Sequence, residues 1–218
     1  MTMAVTRVSE VTLSGHHAAR IGILGGTFDP PHIGHAIVAT DLIERLDLDL
    51  LLVIPAARPP HREPIFSGEA RLGFSRRMFD GVERVEVSDL EFRRADPSYA
   101  VLTLEELRHR YPDATLIIAM GTDQFAAIDT WHEFEKIPAL ARIAVMRRAG
   151  DEPRLPDEAG DLPYIEVDVT RIDLSASTIR RRLEAGKPIR FLVPESIRED
   201  IERAWRDEAS TQTTSTRC

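Results

Sequence analysis

The run Ile21 to Leu24 is apolar, and from Ile33 onward apolar residues recur at Ile33, Ile37, Val38, Leu42, Ile43 and Leu46. The first pattern is that of a short buried strand; the second is one face of a helix. Between them, Gly25-Gly26-Thr27-Phe28-Asp29-Pro30-Pro31-His32 must turn the chain sharply. A second buried strand, Leu50 to Pro55 (LLLVIP), follows the helix at once. Two strands joined through a helix form a crossover, which makes them parallel neighbours in one sheet.

The alternation continues. Ser67 is placed to cap a helix from Gly68 to Phe79, and Val82 to Phe92 reads as extended with a polar break at Ser88-Asp89. Asp96-Pro97 marks the start of a helix that runs to Arg110, where Tyr111-Pro112 stops it. Thr115 to Met120 is a buried strand, Trp131 to Leu140 an amphipathic stretch, and Ile143 to Met146 another strand. Residues 149–163 are rich in proline, glycine and acids and form a surface loop. Tyr164 to Val169 is the last strand, Ser175 to Ala185 a helix with Gly186 past its end, and Pro194 to Ala209 the final helix. The expected fold is α/β: a single doubly wound, mostly parallel sheet with helices on both faces. Residues 1–20, with the pair His16-His17, read as a flexible leader, 21–209 as one domain and 210–218 as a flexible tail.

Composition excludes several classes. At 218 residues, 43% hydrophobic and 29% charged, the chain is an ordinary globular one. No apolar run approaches the ~20 residues a bilayer span needs, and the N-terminus lacks a signal-peptide core, so a cytoplasmic protein is expected. Cys218 is the single cysteine, which removes disulfides, CxxC metal sites and thiol nucleophiles. A net charge of -8 argues against broad nucleic-acid binding. Any anionic ligand must be held by local features.

The first turn is such a feature. In an open parallel sheet, ligands bind beyond the carboxyl ends of the strands. Gly25 and Gly26 permit close backbone approach, and the helix starting at Ile33 aims N–H groups and partial positive charge at the same space. The turn is neither the GxxxxGKS/T P-loop, having no lysine, nor GxGxxG. Its histidines take the lysine's place: His32 and His35 are three apart, can share one side of the first turn, and titrate near neutrality. A single histidine at a helix start is ordinarily a cap or core residue, but two of them bracketing a glycine after a diglycine turn fit phosphate binding better. A zinc site would need a third ligand, for which His61 is the near candidate.

These residues carry a resemblance. Gly25-Gly26-Thr27-Phe28-Asp29-Pro30-Pro31-His32-Ile33-Gly34-His35 resembles the signature of the HxGH nucleotidyltransferases, and within them the bacterial nicotinate mononucleotide adenylyltransferases. Leu174-Ser175-Ala176-Ser177-Thr178-Ile179-Arg180 resembles the second motif of that family, ISSTxIR. Pro59-Pro60-His61-Arg62, Pro97-Ser98-Tyr99, Gly121-Thr122-Asp123 and Trp131-His132 match between them, in order.

The resemblance implies a Rossmann-like fold and transfer of the adenylyl group of ATP to nicotinate mononucleotide, with magnesium riding on the triphosphate. It implies that His32, His35 and Arg180 are catalytic and that Gly25, Gly26, Thr27, Phe28, Ser175 and Ser177 hold the ATP phosphates. Trp131, His132, Tyr99, Ala100 and Arg62 would bind the mononucleotide, Trp131 as a stacking platform for the pyridine; Gly121 and Asp123 would meet a ribose. Asp29 would shape the turn. The chain departs from the pattern at Ala100, where the family carries threonine, and at Ala176 and Ser177, where it carries serine and threonine. The competing expectations are a related transferase acting on nicotinamide mononucleotide, phosphopantetheine, glycerol 3-phosphate or a flavin nucleotide, and a nucleotide-binding regulator without turnover. Nothing in the sequence distinguishes a monomer from a homo-oligomer.

Overall fold

The computed structural model describes residues 18–147, 150 and 152–215, with side chains in the last helix as far as residue 208. Most of the leader, with His16-His17, lies outside the described residues. Six strands form one sheet, all pairs parallel: β1 (Arg20–Gly26), β2 (Leu50–Pro55), β3 (Val85–Val87), β4 (Thr115–Gly121), β5 (Arg142–Arg147) and β6 (Tyr164–Asp168), in the order β3-β2-β1-β4-β5-β6. The helices are α1 (Ile33–Arg45), α2 (Gly68–Met78), α3 (Ala100–Arg110), α4 (Thr122–Phe125), α5 (Ile137–Leu140), α6 (Ala176–Glu184) and α7 (Glu195–Ser215).

The strands are apolar along their length because both faces of the sheet are covered. Their side chains nonetheless divide with period 2. Leu24, Ile117 and Ala119 face a core shared with Leu42 of α1, Phe74 of α2, Ile179 of α6 and Ile197 and Ile201 of α7. Ile21, Ile23, Leu116, Ile118 and Met120 face the other core, with Leu104 and Leu107 of α3, Phe125 of α4 and Ile137 of α5.

Strand order reverses between β1 and β4: β2 and β3 lie to one side, β5 and β6 to the other. In open parallel sheets such a switch point, at the carboxyl ends of the two central strands, is where ligands bind. The glycine turn follows one of them and Gly121 ends the other.

Four segments differ from the sequence expectation. Within Val82 to Phe92 the strand is confined to Val85–Val87, and Leu90–Arg93 is a 3-10 turn. The third helix starts at Ala100 rather than at Asp96-Pro97, because the Ser98 N–H is bound to the Arg58 carbonyl at 2.9 Å and Ser98 Oγ accepts from the Arg58 N–H at 3.0 Å, which holds these residues against the loop after β2. Trp131 to Leu140 is not one amphipathic helix: Glu133 is left-handed at φ 51°, Phe134–Lys136 is a 3-10 turn, and α-helix spans Ile137–Leu140. The final helix runs past Ala209 to Ser215, so residues 210–215 continue it instead of forming the expected tail.

Candidate active site

His32 is the N-cap of α1 and is buried, with extended backbone at φ -148°, ψ 172°. Its N–H donates to His35 Nδ1 at 3.0 Å. A backbone amide can only donate, so Nδ1 carries no proton and the imidazole hydrogen sits on Nε2. Burial first, then the neighbouring His32, push the His35 pKa down to about 3. His35 is therefore a neutral Nε2–H donor at physiological pH, and it does not titrate near neutrality as the sequence led us to expect. The two rings lie 3.8 Å apart, and Phe28 packs on His35 at 4.7 Å.

Gly34 makes this stacking possible. A Cβ there would stand 3.0 Å from both Cε1 and Nδ1 of His32. A glycine between the histidines thus lets the first ring lie against the helix. Phe28 takes the left-handed conformation at φ 49°, costing on the order of 1–3 kcal/mol, which its burial in the core offsets.

Asp29 is buried at the centre of the turn. Oδ1 accepts the Phe66 N–H at 2.9 Å and Oδ2 the Ile65 N–H at 3.0 Å. Arg180, from α6, donates through Nη1 to the Asp29 main-chain carbonyl at 2.5 Å and lies 3.3 Å from Oδ2. The two motifs, 151 residues apart at these positions, thus meet at one residue. Arg71 is a second, deeper cation: 1% exposed, it donates to the carbonyls of Thr27 (2.8 Å), Ala56 (2.6 Å), Ala57 (3.3 Å) and Phe66 (3.1 Å). Burial lowers its pKa and the charge of Asp29 works against that. Sequence reasoning missed Arg71. Its signal was present: Arg71, Ser75 and Met78 share the buried face of α2, and a charge on such a face needs partners.

Ser175 caps α6. Its hydroxyl accepts the Thr178 N–H at 3.2 Å and lies 2.9 Å from Ser177 Oγ and 3.0 Å from Thr178 Oγ1. These hydroxyls surround a helix N-terminus, where partial positive charge collects. Asp41 of α1 accepts the Thr170 N–H at 2.6 Å, tying the approach to α6 back onto α1.

The aromatic residues gather separately. Tyr99, the N-cap of α3, stacks on His132 at 4.3 Å and 25°. Trp131 is half-buried and packs against the core on the α3 side of the sheet. Ala100 begins α3 beside Tyr99. Behind them lies another network the sequence did not reveal: Arg94 Nη2 donates to Thr103 Oγ1 at 2.7 Å and to the Tyr99 carbonyl at 3.4 Å, and Thr103 Oγ1 donates to the buried Glu91 at 2.7 Å. Gly121 has no side chain, and Asp123 Oδ1 folds to 2.6 Å from where a Cβ would stand. Arg62 is exposed on the loop between β2 and α2. Among the described residues, no group of three or more His, Cys, Asp or Glu could hold a metal ion, and no helix is long and apolar enough to cross a membrane.

A glycine-rich turn and a hydroxyl-capped helix, joined through Arg180 at the switch point of a doubly wound sheet, make up the architecture of a nucleotidyltransferase. Residues 23–182 match the model of the family described as cytidylyltransferase-like. The chain is 38% identical over 184 residues to a Thermus thermophilus protein named "Probable nicotinate-nucleotide adenylyltransferase", covering 84% of this chain and 97% of that one. It is 36% identical over 184 residues to a protein of the same name from Exiguobacterium sibiricum, covering 84% and 96%. The chain belongs to the cytidylyltransferase-like family, among its nicotinate-nucleotide adenylyltransferases. The fold is shared with Plasmodium falciparum nicotinic acid mononucleotide adenylyltransferase complexed with NaAD: TM-score 0.62 at 18% identity, covering 89% of this chain and 96% of that one.

Proposed function

We propose that the chain transfers AMP from ATP to nicotinate mononucleotide, producing nicotinate adenine dinucleotide and pyrophosphate in NAD biosynthesis. The observation that carries this assignment is the contact of Arg180 with Asp29, which brings both phosphate-binding motifs to one place. An oxygen of the mononucleotide 5'-phosphate attacks the α-phosphorus of ATP in line. The bond from that phosphorus to the α,β-bridging oxygen breaks, and its electron pair leaves with pyrophosphate. The attacking phosphate is already anionic, so no proton transfer is needed. The chain supplies position and hydrogen-bond donors, the main sources of acceleration in phosphoryl transfer.

His35 Nε2–H and the His32 imidazole face the phosphates, with the backbone of Gly25, Gly26, Thr27 and Phe28. Ser175, Ser177 and Arg180 hold the departing pyrophosphate from the α6 side. Tyr99, Ala100, Trp131 and His132 receive the pyridine, Arg62 approaches the mononucleotide phosphate, and Gly121 and Asp123 meet a ribose. With Ala100 lacking a hydroxyl, the backbone N–H groups at the start of α3 take the pyridine carboxylate. ATP enters as its magnesium complex, and the ion belongs to the substrate. Supporting these roles are the stack of Tyr99 on His132 and the hydroxyl cluster around Ser175.

The test is pyrophosphate release from ATP and magnesium with nicotinate mononucleotide or nicotinamide mononucleotide. Release favouring the acid is expected. Silence with both refutes the function, and a preference for the amide refutes its acid specificity.

A further inference from the structure

The turn does not need Arg180 to keep its shape. Asp29 Oδ1 and Oδ2 are already fixed by the Phe66 and Ile65 N–H groups, and Arg71 locks the same loop through the Phe66 carbonyl and the turn through the Thr27 carbonyl. Both carboxylate oxygens therefore stand where rigid backbone puts them, with the residue 5% exposed. Arg180 differs in kind: a long side chain on α6, 27% exposed, that would sample many rotamers unaided. One guanidinium nitrogen, Nη1, is held on the carbonyl and near the carboxylate of the same residue. A guanidinium is planar with its donors in a fixed fork, so anchoring one nitrogen sets the direction of the others. The negative charge of Asp29 also lets Arg180 and Arg71 share this space.

We propose that Asp29 is a positioning residue for Arg180 through its carboxylate: the main-chain carbonyl accepts Nη1, and the charge of the carboxylate 3.3 Å away keeps it there so that the remaining guanidinium donors face the phosphates of the nucleotide. This rests on the adenylyl-transfer assignment, in which Arg180 contacts the leaving pyrophosphate. Asp29 itself touches no substrate.

A double-mutant cycle tests it, with kcat and KM measured for ATP–magnesium and nicotinate mononucleotide. The variants are Asp29→Asn, which keeps size and one backbone acceptor, Arg180→Lys, and both together. Asp29→Asn is expected to lower kcat on the order of tenfold to a hundredfold, the cost of displacing one charged group by a fraction of an ångström to an ångström. The mononucleotide KM should stay within about twofold, and the double variant should be no slower than the slower single one. Effects that multiply, or an Asp29→Asn kcat equal to the parent's, overturn the role. If Asp29→Asn does not fold, Asp29→Glu replaces it in the cycle, and Arg180→Ala is assayed with added guanidinium. Rescue is expected with Asp29 present and lost with Glu at that position; equal rescue in both refutes the proposal. An inactive parent chain overturns adenylyl transfer and this role together, whereas an active parent with multiplicative effects overturns the role alone.

Discussion

Replacing Gly34 with alanine separates catalysis from stability in this protein. Gly34 has ordinary helical backbone and lies in the first turn of α1, so alanine is conformationally allowed there and raises helix propensity by up to about 1 kcal/mol. Its Cβ would stand 3.0 Å from His32 Cε1 and Nδ1, where an unstrained contact needs ~3.5 Å or more. The His32 ring must then move by roughly 0.5 Å. Its neighbour His35, 3.8 Å away between centroids and bonded to the His32 N–H, limits the directions open to it. A 1 Å misplacement of a reacting constellation costs about 10²-fold, so half of that costs about tenfold, or about 1.4 kcal/mol in the barrier. Gly34→Ala should therefore lower kcat by about tenfold while the thermal midpoint stays level or rises. Pyrophosphate release and calorimetry on the same sample measure both. Full activity with an unchanged midpoint would refute the claim that glycine is required for the seating of His32.

Arg71→Met should destabilise the fold by about 3–5 kcal/mol, lowering the thermal midpoint on the order of 10 °C, because four carbonyls and the charge of Asp29 lose a buried partner; a change under 2 °C contradicts this. Between pH 6.5 and about 3 the unfolded chain protonates His35 while the folded one resists, so this part of the stability is complete above pH 6.5 and falls as the pH drops toward 3. Thermal midpoints of the parent and His35→Gln should converge as the solution is acidified, and parallel curves would show that His35 is not held neutral. Trp131→Ala should raise the mononucleotide KM about tenfold or more through lost stacking and leave the ATP KM nearly unchanged; equal shifts in both would place Trp131 in the scaffold alone.

The long, strongly periodic segments were legible in the sequence. LLLVIP and TLIIAM are strands, and Ile33 to Leu46 is α1 with its helix end one residue early, because local spacing alone decides burial on a covered parallel sheet. Of the segments that sequence patterns misplaced, one yields to a distant contact and another to a local turn of the backbone. Ser98 is held by Arg58, which delays α3, and the left-handed Glu133 breaks what propensity would make one helix from Trp131 to Leu140.

The site divides in the same way. The motifs around His32 and Ser175 could be picked out in the sequence because glycines, histidines and hydroxyls beside helix starts act through their own local backbone. What local order cannot contain is the meeting of Arg180 with Asp29, the burial of Arg71 under two loops, or the neutral state of His35. Each depends on which groups a folded chain brings together and how far it excludes water. The order of β1 beside β4 and the return of α6 to the first turn decided those, and with them which charges gather at the turn.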